Sequence, residues 1–208
     1  MLIKDIMCGI TGYINFEDAS GKTIKSLDQM SYRGEDASGI FQEGKIQTGE
    51  NIQSLNINPK SLISIGHNLH SIVDFTPQPL KERGILVANC EIYNYKELNE
   101  KYNISSNPDS KTLLKLLDKT NINNEEDMQK LFEELDGPYA FAYLRDETLI
   151  LARDSIGIKP LCIYKDDTSL AFSSQIETLP ENAFQLNPRE YINYNIKTKK
   201  NKTIKKEY

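Results

Sequence analysis

Short runs of β-forming residues, punctuated by Gly, Asn and Asp, recur along this chain, and helical spacing interrupts them in only three places. The runs cover residues 10–16, 62–65, 85–89, 139–144, 149–152, 161–164 and 170–172. Ile24, Leu27 and Met30 sit three apart, which places them on one helical face. Leu113, Leu114, Leu116 and Leu117 form a second apolar face behind Asp109-Ser110, a sequence able to cap a helix. Met128, Leu131, Phe132 and Leu135 form a third, ending before Gly137. Strands and helices do not alternate as βαβ units would require, so the pattern predicts an α+β sandwich.

A chain of 208 residues with 38% hydrophobic and 26% charged residues suits one globular domain. No apolar run approaches the ~20 residues needed to span a bilayer. Residues 1–7 carry Lys4 and Asp5 and lack the apolar stretch of a secretion signal. Cys8, Cys90 and Cys162 are too few and too scattered for a disulfide framework or a zinc site. We therefore expect a cytoplasmic protein with free thiols, no metal and no membrane partner. Neither the dinucleotide nor the nucleotide glycine fingerprint is present. Residues 197–208 hold six lysines against one glutamate, a net +5, which leaves −10 on residues 1–196 of a chain totalling −5. The acidic body argues against nucleic acid, and the tail reads as a hairpin with a lysine-rich turn.

Met7-Cys8-Gly9-Ile10-Thr11-Gly12 is the segment that carries chemistry. A cysteine directly after a methionine can become the first residue of a mature chain. Its thiolate is then the nucleophile and its own α-amine, with a pKa near ~8, the proton shuttle. Taken alone, a cysteine on a first strand is more often an inert core residue.

Five further segments change that balance. Residues 30–40, containing Tyr32-Arg33-Gly34-Glu35-Asp36, resemble the RHRGPDxxG stretch of class II glutamine amidotransferases. Gly66-His67-Asn68-Leu69-His70-Ser71-Ile72-Val73-Asp74, followed by Gln78-Pro79-Leu80, resembles "GHxRLSIVD…QPL" of the asparagine synthetase branch. Asn89-Cys90-Glu91-Ile92-Tyr93-Asn94 resembles "NGEIYN", residues 135–142 resemble "LxGMFAFA", and residues 153–161 resemble "RDxxGxKPLYY". The resemblance runs from Cys8 to about Ser174. It implies a four-layer αββα fold of two antiparallel sheets, the N-terminal-nucleophile hydrolase fold. It also implies residues 8–208 as the amidotransferase domain, with residues 1–7 a prefix that is removed or untranslated.

The same resemblance assigns roles. Cys8 would attack the side-chain amide of glutamine. Asn89, through its side-chain NH₂, and Cys90, through its backbone N–H, would hold the developing oxyanion. Glu91 and Asp109 would accept the α-ammonium of glutamine, although Asp109 is equally placed to cap a helix. The arginine that clamps the α-carboxylate in the family aligns with Leu69, which can donate no hydrogen bond. Unless Arg33 or a protonated His70 substitutes, glutamine binds poorly. Cys90 replaces a glycine and adds bulk where positive φ was available. If residues 1–7 remain, Cys8 has an amide nitrogen and no basic amine. Arg33 with Asp36 reads as a structural ion pair, and Arg153, Asp154 and Lys159 as loop stabilisers. His67 and His70, three apart on a strand, face opposite ways and share no ligand.

Two functions follow as expectations. One is glutamine hydrolysis, supplying ammonia to an asparagine-synthetase-type domain or subunit, where ATP and magnesium would be needed; this domain itself needs no cofactor. The other is a catalytically weakened domain serving as scaffold or regulatory cap. A homodimer is left open.

Overall fold

A computed structural model describes residues 7–71 and 75–207. Most of the prefix at residues 1–7, and the Ile72-Val73-Asp74 part of the synthetase-like motif, lie outside the described residues. In chain order the strands are β1 Gly9–Ile14, β2 Ala37–Gln42, β3 Lys45–Gly49, β4 Ile63–Leu69, β5 Leu80–Lys81, β6 Ile85–Cys90 and β7 Tyr139–Arg145. They continue with β8 Thr148–Arg153, β9 Cys162–Lys165, β10 Leu170–Ser173, β11 Phe184–Gln185, β12 Glu190–Asn195 and β13 Asn201–Lys205. Among the described residues four α-helices accompany them: α1 Ala19–Gln29, α2 Tyr95–Tyr102, α3 Asp109–Lys119 and α4 Glu125–Glu134.

The chain forms two compact units. The first, residues 1–79 with 161–185, holds a seven-stranded sheet in the order β11-β9-β10-β1-β4-β2-β3. The second, residues 80–160 with 186–208, holds a six-stranded sheet in the order β13-β12-β8-β7-β6-β5. Every strand pair is antiparallel. Two antiparallel sheets with helices make this an α+β fold, as the sequence pattern predicts.

Strand β1 sits centrally in its sheet, with β10 and β4 on either side, and all six of its residues are buried. Gly12 is required there, because a Cβ would stand 2.5 Å from the Phe172 ring. Helix α1 packs on β4 at Gly66, where a Cβ would meet Thr23 and Leu27 at 2.7 and 2.8 Å. In the second unit, the leucine face of α3 and Met128, Leu131 and Phe132 of α4 join one core with Leu86, Ala88, Phe141 and Ile150 of the sheet.

The structure adds β2 and β3, which the composition of 37–49 did not suggest. The run Ala-Ser-Gly-Ile-Phe-Gln is buried throughout, yet small at its start, because a neighbouring backbone crowds it. A Cβ on Gly39 would stand 2.0 Å from the Gln78 carbonyl. Helix α2 also lacked a signal, since Leu98 is its one buried residue. Asp109 is the first residue of α3, with Pro108 at the cap position.

The lysine-rich tail forms the expected hairpin, β12 paired with β13. Its last lysine departs from the expectation of solvated charge. Lys206 is buried, its ammonium bonded to the Arg153 carbonyl and 5.0 Å from the centre of the Phe132 ring. Burial lowers its pKa from 10.5 to about 8. The folded state therefore binds fewer protons than the unfolded state between those values, and stability rises with pH there. At about 1.4 kcal/mol per pKa unit the gain reaches about 3 kcal/mol. Urea melts at pH 7.5 and 10.5 should show it in the natural protein and not in Lys206→Met.

Candidate active site

The first unit carries Cys8 immediately before β1, with its thiol at the end of β4. The His70 N–H donates to Cys8 Sγ at 3.3 Å, and Sγ lies 3.5 Å from the His70 carbonyl. The thiol thus accepts from one backbone group of His70 and donates to the other, which fixes its position at the end of β4. Arg33 holds the other side of the residue: its Nε donates to the Cys8 carbonyl at 3.4 Å. The guanidinium is carried by the short 3-10 turn Ser31–Arg33 and is buried, 7% exposed. Its Nη2 is shielded from solvent and has no hydrogen-bond partner.

The Arg33–Asp36 ion pair anticipated from the sequence is not formed. Gly34 is extended and presses on Asn68 and Leu69, where a Cβ would meet backbone at 2.7 Å. That close approach carries Asp36 to the end of β4 instead. Its backbone N–H donates to the Leu69 carbonyl at 3.1 Å, and its carboxylate accepts the Ser71 N–H at 2.7 Å. The same carboxylate lies 3.7 Å from His70 Nδ1. Leu69 itself is buried, opposite Ala37 in the β2–β4 ladder. His67 is fully buried within β4, whereas His70 lies beyond the strand and is partly exposed.

The second unit carries the candidate oxyanion residues at the end of β6. Asn89 lies opposite Ala140 of β7, is 3% exposed, and its Nδ2 is buried without a hydrogen-bond partner. Leaving an amide donor so costs about 1–3 kcal/mol, which makes Asn89 an exception that asks for an acceptor. The Glu91 N–H bonds the Pro138 carbonyl at 2.9 Å, so ladder alternation turns the Cys90 N–H away from β7. Cys90 closes the strand in extended conformation. The replaced glycine's positive-φ freedom is therefore not needed here, which removes the expected backbone penalty.

Asp109 is drawn to this strand end from the start of α3. Oδ2 accepts the Ile92 N–H at 2.8 Å, Oδ1 accepts the Ser110 N–H at 2.7 Å, and the Cys90 thiol donates to the same carboxylate. Desolvation nevertheless raises its pKa above the usual carboxylate value. Asp109 is not the cap of α3, a position held by Pro108; as the first residue of that helix it ties the helix start to the Ile92 N–H just beyond β6. Glu91 is half exposed and paired with Lys159 Nζ at 2.7 Å. Asp154 organises the loop as expected, accepting the N–H groups of Gly157, Ile158 and Lys159 at 2.6, 2.8 and 3.0 Å. Lys159 does more than stabilise that loop. Its nearly buried ammonium reaches Glu91, a contact 68 residues away that no local motif announces. Among the described residues there is no cluster of His, Cys, Asp and Glu able to hold a metal, and no helix long and apolar enough to cross a membrane.

The fold is shared with solved amidotransferases. It superposes on 95% of this chain and 49% of the glutamine phosphoribosylpyrophosphate amidotransferase of B. subtilis, with a TM-score of 0.77 at 22% identity. A family model, "Glutamine amidotransferase domain", matches residues 7–206. The chain belongs to the glutamine amidotransferase domain family. It is 32% identical over 189 residues to a Methanocaldococcus jannaschii protein named as a glutamine-hydrolysing asparagine synthetase, covering 83% of this chain and 33% of that one. It is 29% identical over 176 residues to a glutamine–fructose-6-phosphate aminotransferase of Staphylococcus epidermidis, covering 71% and 29%. The chain thus spans about a third of the length of the curated relatives it matches.

Proposed function

We propose that this domain hydrolyses glutamine to glutamate and ammonia through Cys8. The observation that carries this reading is the buried, partnerless amide donor of Asn89, which a substrate oxyanion would satisfy. In the reaction, Cys8 thiolate attacks the side-chain carbonyl carbon of glutamine. The C–N bond breaks, and ammonia leaves with a proton from the Cys8 α-ammonium. Water, deprotonated by the same amine, then cleaves the thioester and restores the thiol. In this reading the Asn89 Nδ2–H and the Cys90 N–H would donate to the oxyanion in both steps. Asp109 and Glu91 receive the α-ammonium. The desolvated carboxylate of Asp109 gains most from a cation, since desolvation is the cause of its raised pKa.

Ammonia is passed to an asparagine-synthetase-type acceptor domain or subunit that uses ATP and magnesium. The synthetase-like segments and the Methanocaldococcus jannaschii relative support that branch. The amidotransferase domain itself uses neither, and its domain begins at Cys8. The alternative, a weakened domain acting as a scaffold or cap, draws support from Leu69 and from the Cys90 thiol that already occupies Asp109. The experiment that separates them uses the chain beginning at Cys8. Glutamate should form from glutamine with a 1:1 yield of ammonia, and Cys8→Ala should form none. Absence of both products from the natural sequence would leave the scaffold reading standing.

A further inference from the structure

We propose that Arg33 anchors the α-carboxylate of the substrate, replacing in this chain the arginine whose place Leu69 occupies. This rests on the glutamine-hydrolysing reading above. A buried guanidinium normally sits with an anion, because an uncompensated charge away from water costs several kcal/mol. Arg33 is 7% exposed, has no carboxylate within ion-pair distance among the described residues, and leaves Nη2 buried without a hydrogen-bond partner. Its expected partner, Asp36, is occupied by the Ser71 N–H and faces His70. The charge is thus short of one anion, and the substrate brings one.

Position agrees with need. Arg33 Nε is 3.4 Å from the carbonyl of the nucleophilic residue itself. The reacting carbon of glutamine and its α-carboxylate carbon are four bonds apart, roughly 5 Å when extended. A molecule attacked by Cys8 Sγ therefore has its carboxylate within reach of a group held beside the Cys8 backbone. The fork of an arginine suits a carboxylate better than a point charge does, since it offers two parallel donors. His70, whose backbone meets the thiol, is the poorer anchor. Asp36 already stands 3.7 Å from its Nδ1, so an incoming carboxylate would meet a resident one.

The substrate class follows: ω-amides that carry a free carboxylate four bonds from the amide carbon. Glutamine qualifies, and 4-aminobutanamide, which lacks only the carboxylate, does not. The test measures hydrolysis by the chain beginning at Cys8, and binding to its Cys8→Ala form by calorimetry, for both compounds. Arg33→Gln should raise KM and Kd for glutamine roughly 30-fold or more. Loss of the contact with the Cys8 carbonyl should lower kcat for glutamine and the hydrolysis of 4-aminobutanamide alike, each by no more than a few-fold, so that the rise in KM and Kd is specific to glutamine. Alkylation of Cys8 by iodoacetamide should keep its rate, showing that the nucleophile stays in place. Arg33→Lys should recover part of the lost affinity. Equal losses of affinity for both compounds would mean that Arg33 only supports the Cys8 backbone, and the proposal falls. Unchanged glutamine affinity in Arg33→Gln overturns it too, while leaving glutamine hydrolysis intact. If the natural sequence neither binds nor hydrolyses glutamine, the functional reading itself fails and the anchor with it.

Discussion

Protein that retains residues 1–7 should hydrolyse glutamine roughly 10²–10⁴-fold more slowly than the same chain beginning at Cys8, the range a positioned general base contributes. The reason is chemical. An α-amine with a pKa near ~8 can take the thiol proton and return it to departing ammonia. An amide nitrogen at the same place has no basic lone pair. The surroundings of Cys8 sharpen the comparison, because they address the sulfur and the carbonyl: His70 N–H lies at Sγ and Arg33 Nε at the carbonyl oxygen. Neither contact depends on the residues before Cys8, so the nucleophile should keep its place in the longer protein while losing its base. Intact-mass measurement on each assayed sample identifies the N-terminus. Equal rates from chains beginning at Met1 and at Cys8 would sink the α-amine mechanism. In that event His70, whose backbone N–H meets the thiol, becomes the base to test, and His70→Gln should then abolish turnover.

Much of this arrangement was legible from residues alone, and what was legible has a common physical form. The run 85–89 reads as a strand because its apolar, β-prone side chains fill a core on their own account, and β6 follows it closely. Cys8 and Asn89 were singled out as candidates because a motif holds residue types at fixed local spacing. Strand β2 escaped notice because its composition answers to a neighbour, the Gln78 carbonyl pressed against Gly39, and not to its own propensity. The Arg33–Asp36 pair was misread for a related reason. Three residues apart they look like ion-pair partners, yet the packing of Gly34 on the β4 backbone separates their surroundings. The Lys159–Glu91 and Cys90–Asp109 contacts join residues 68 and 19 positions apart, and only the folded ladder brings them together.

Those last contacts bear on how the substrate ammonium is received. Glu91 is already neutralised by Lys159, so its attraction for a second cation is reduced. Asp109 is neutralised by no cation among the described residues, only by hydrogen bonds from Ile92, Ser110 and Cys90. If both receive the α-ammonium as proposed, Asp109 therefore carries more of its binding. The Cys90 thiol is the one of its three donors that can rotate aside without disturbing a backbone.

Asn89→Ala should lower glutamine turnover about 10²–10³-fold, the usual cost of removing one oxyanion donor. The effect belongs in kcat, because the amide of the bound substrate is neutral and the donor is needed once charge develops on its oxygen. Stability should move little, or in the opposite direction. Nδ2 is buried and makes no hydrogen bond in the free protein, so its removal breaks no donor contact and relieves an unpaired polar group. The Tm of Asn89→Ala should therefore equal or exceed that of the natural sequence while the rate collapses. That opposition separates a catalytic amide from a structural one, since a structural amide would lose stability and rate together. Asn89→Asp, of the same shape, should be slower still: a carboxylate would face the developing oxyanion with like charge. Steady-state kinetics and thermal melts on the two variants decide the matter. Wild-type turnover in Asn89→Ala would place the oxyanion elsewhere, and the partnerless amide at the end of β6 would then need another explanation.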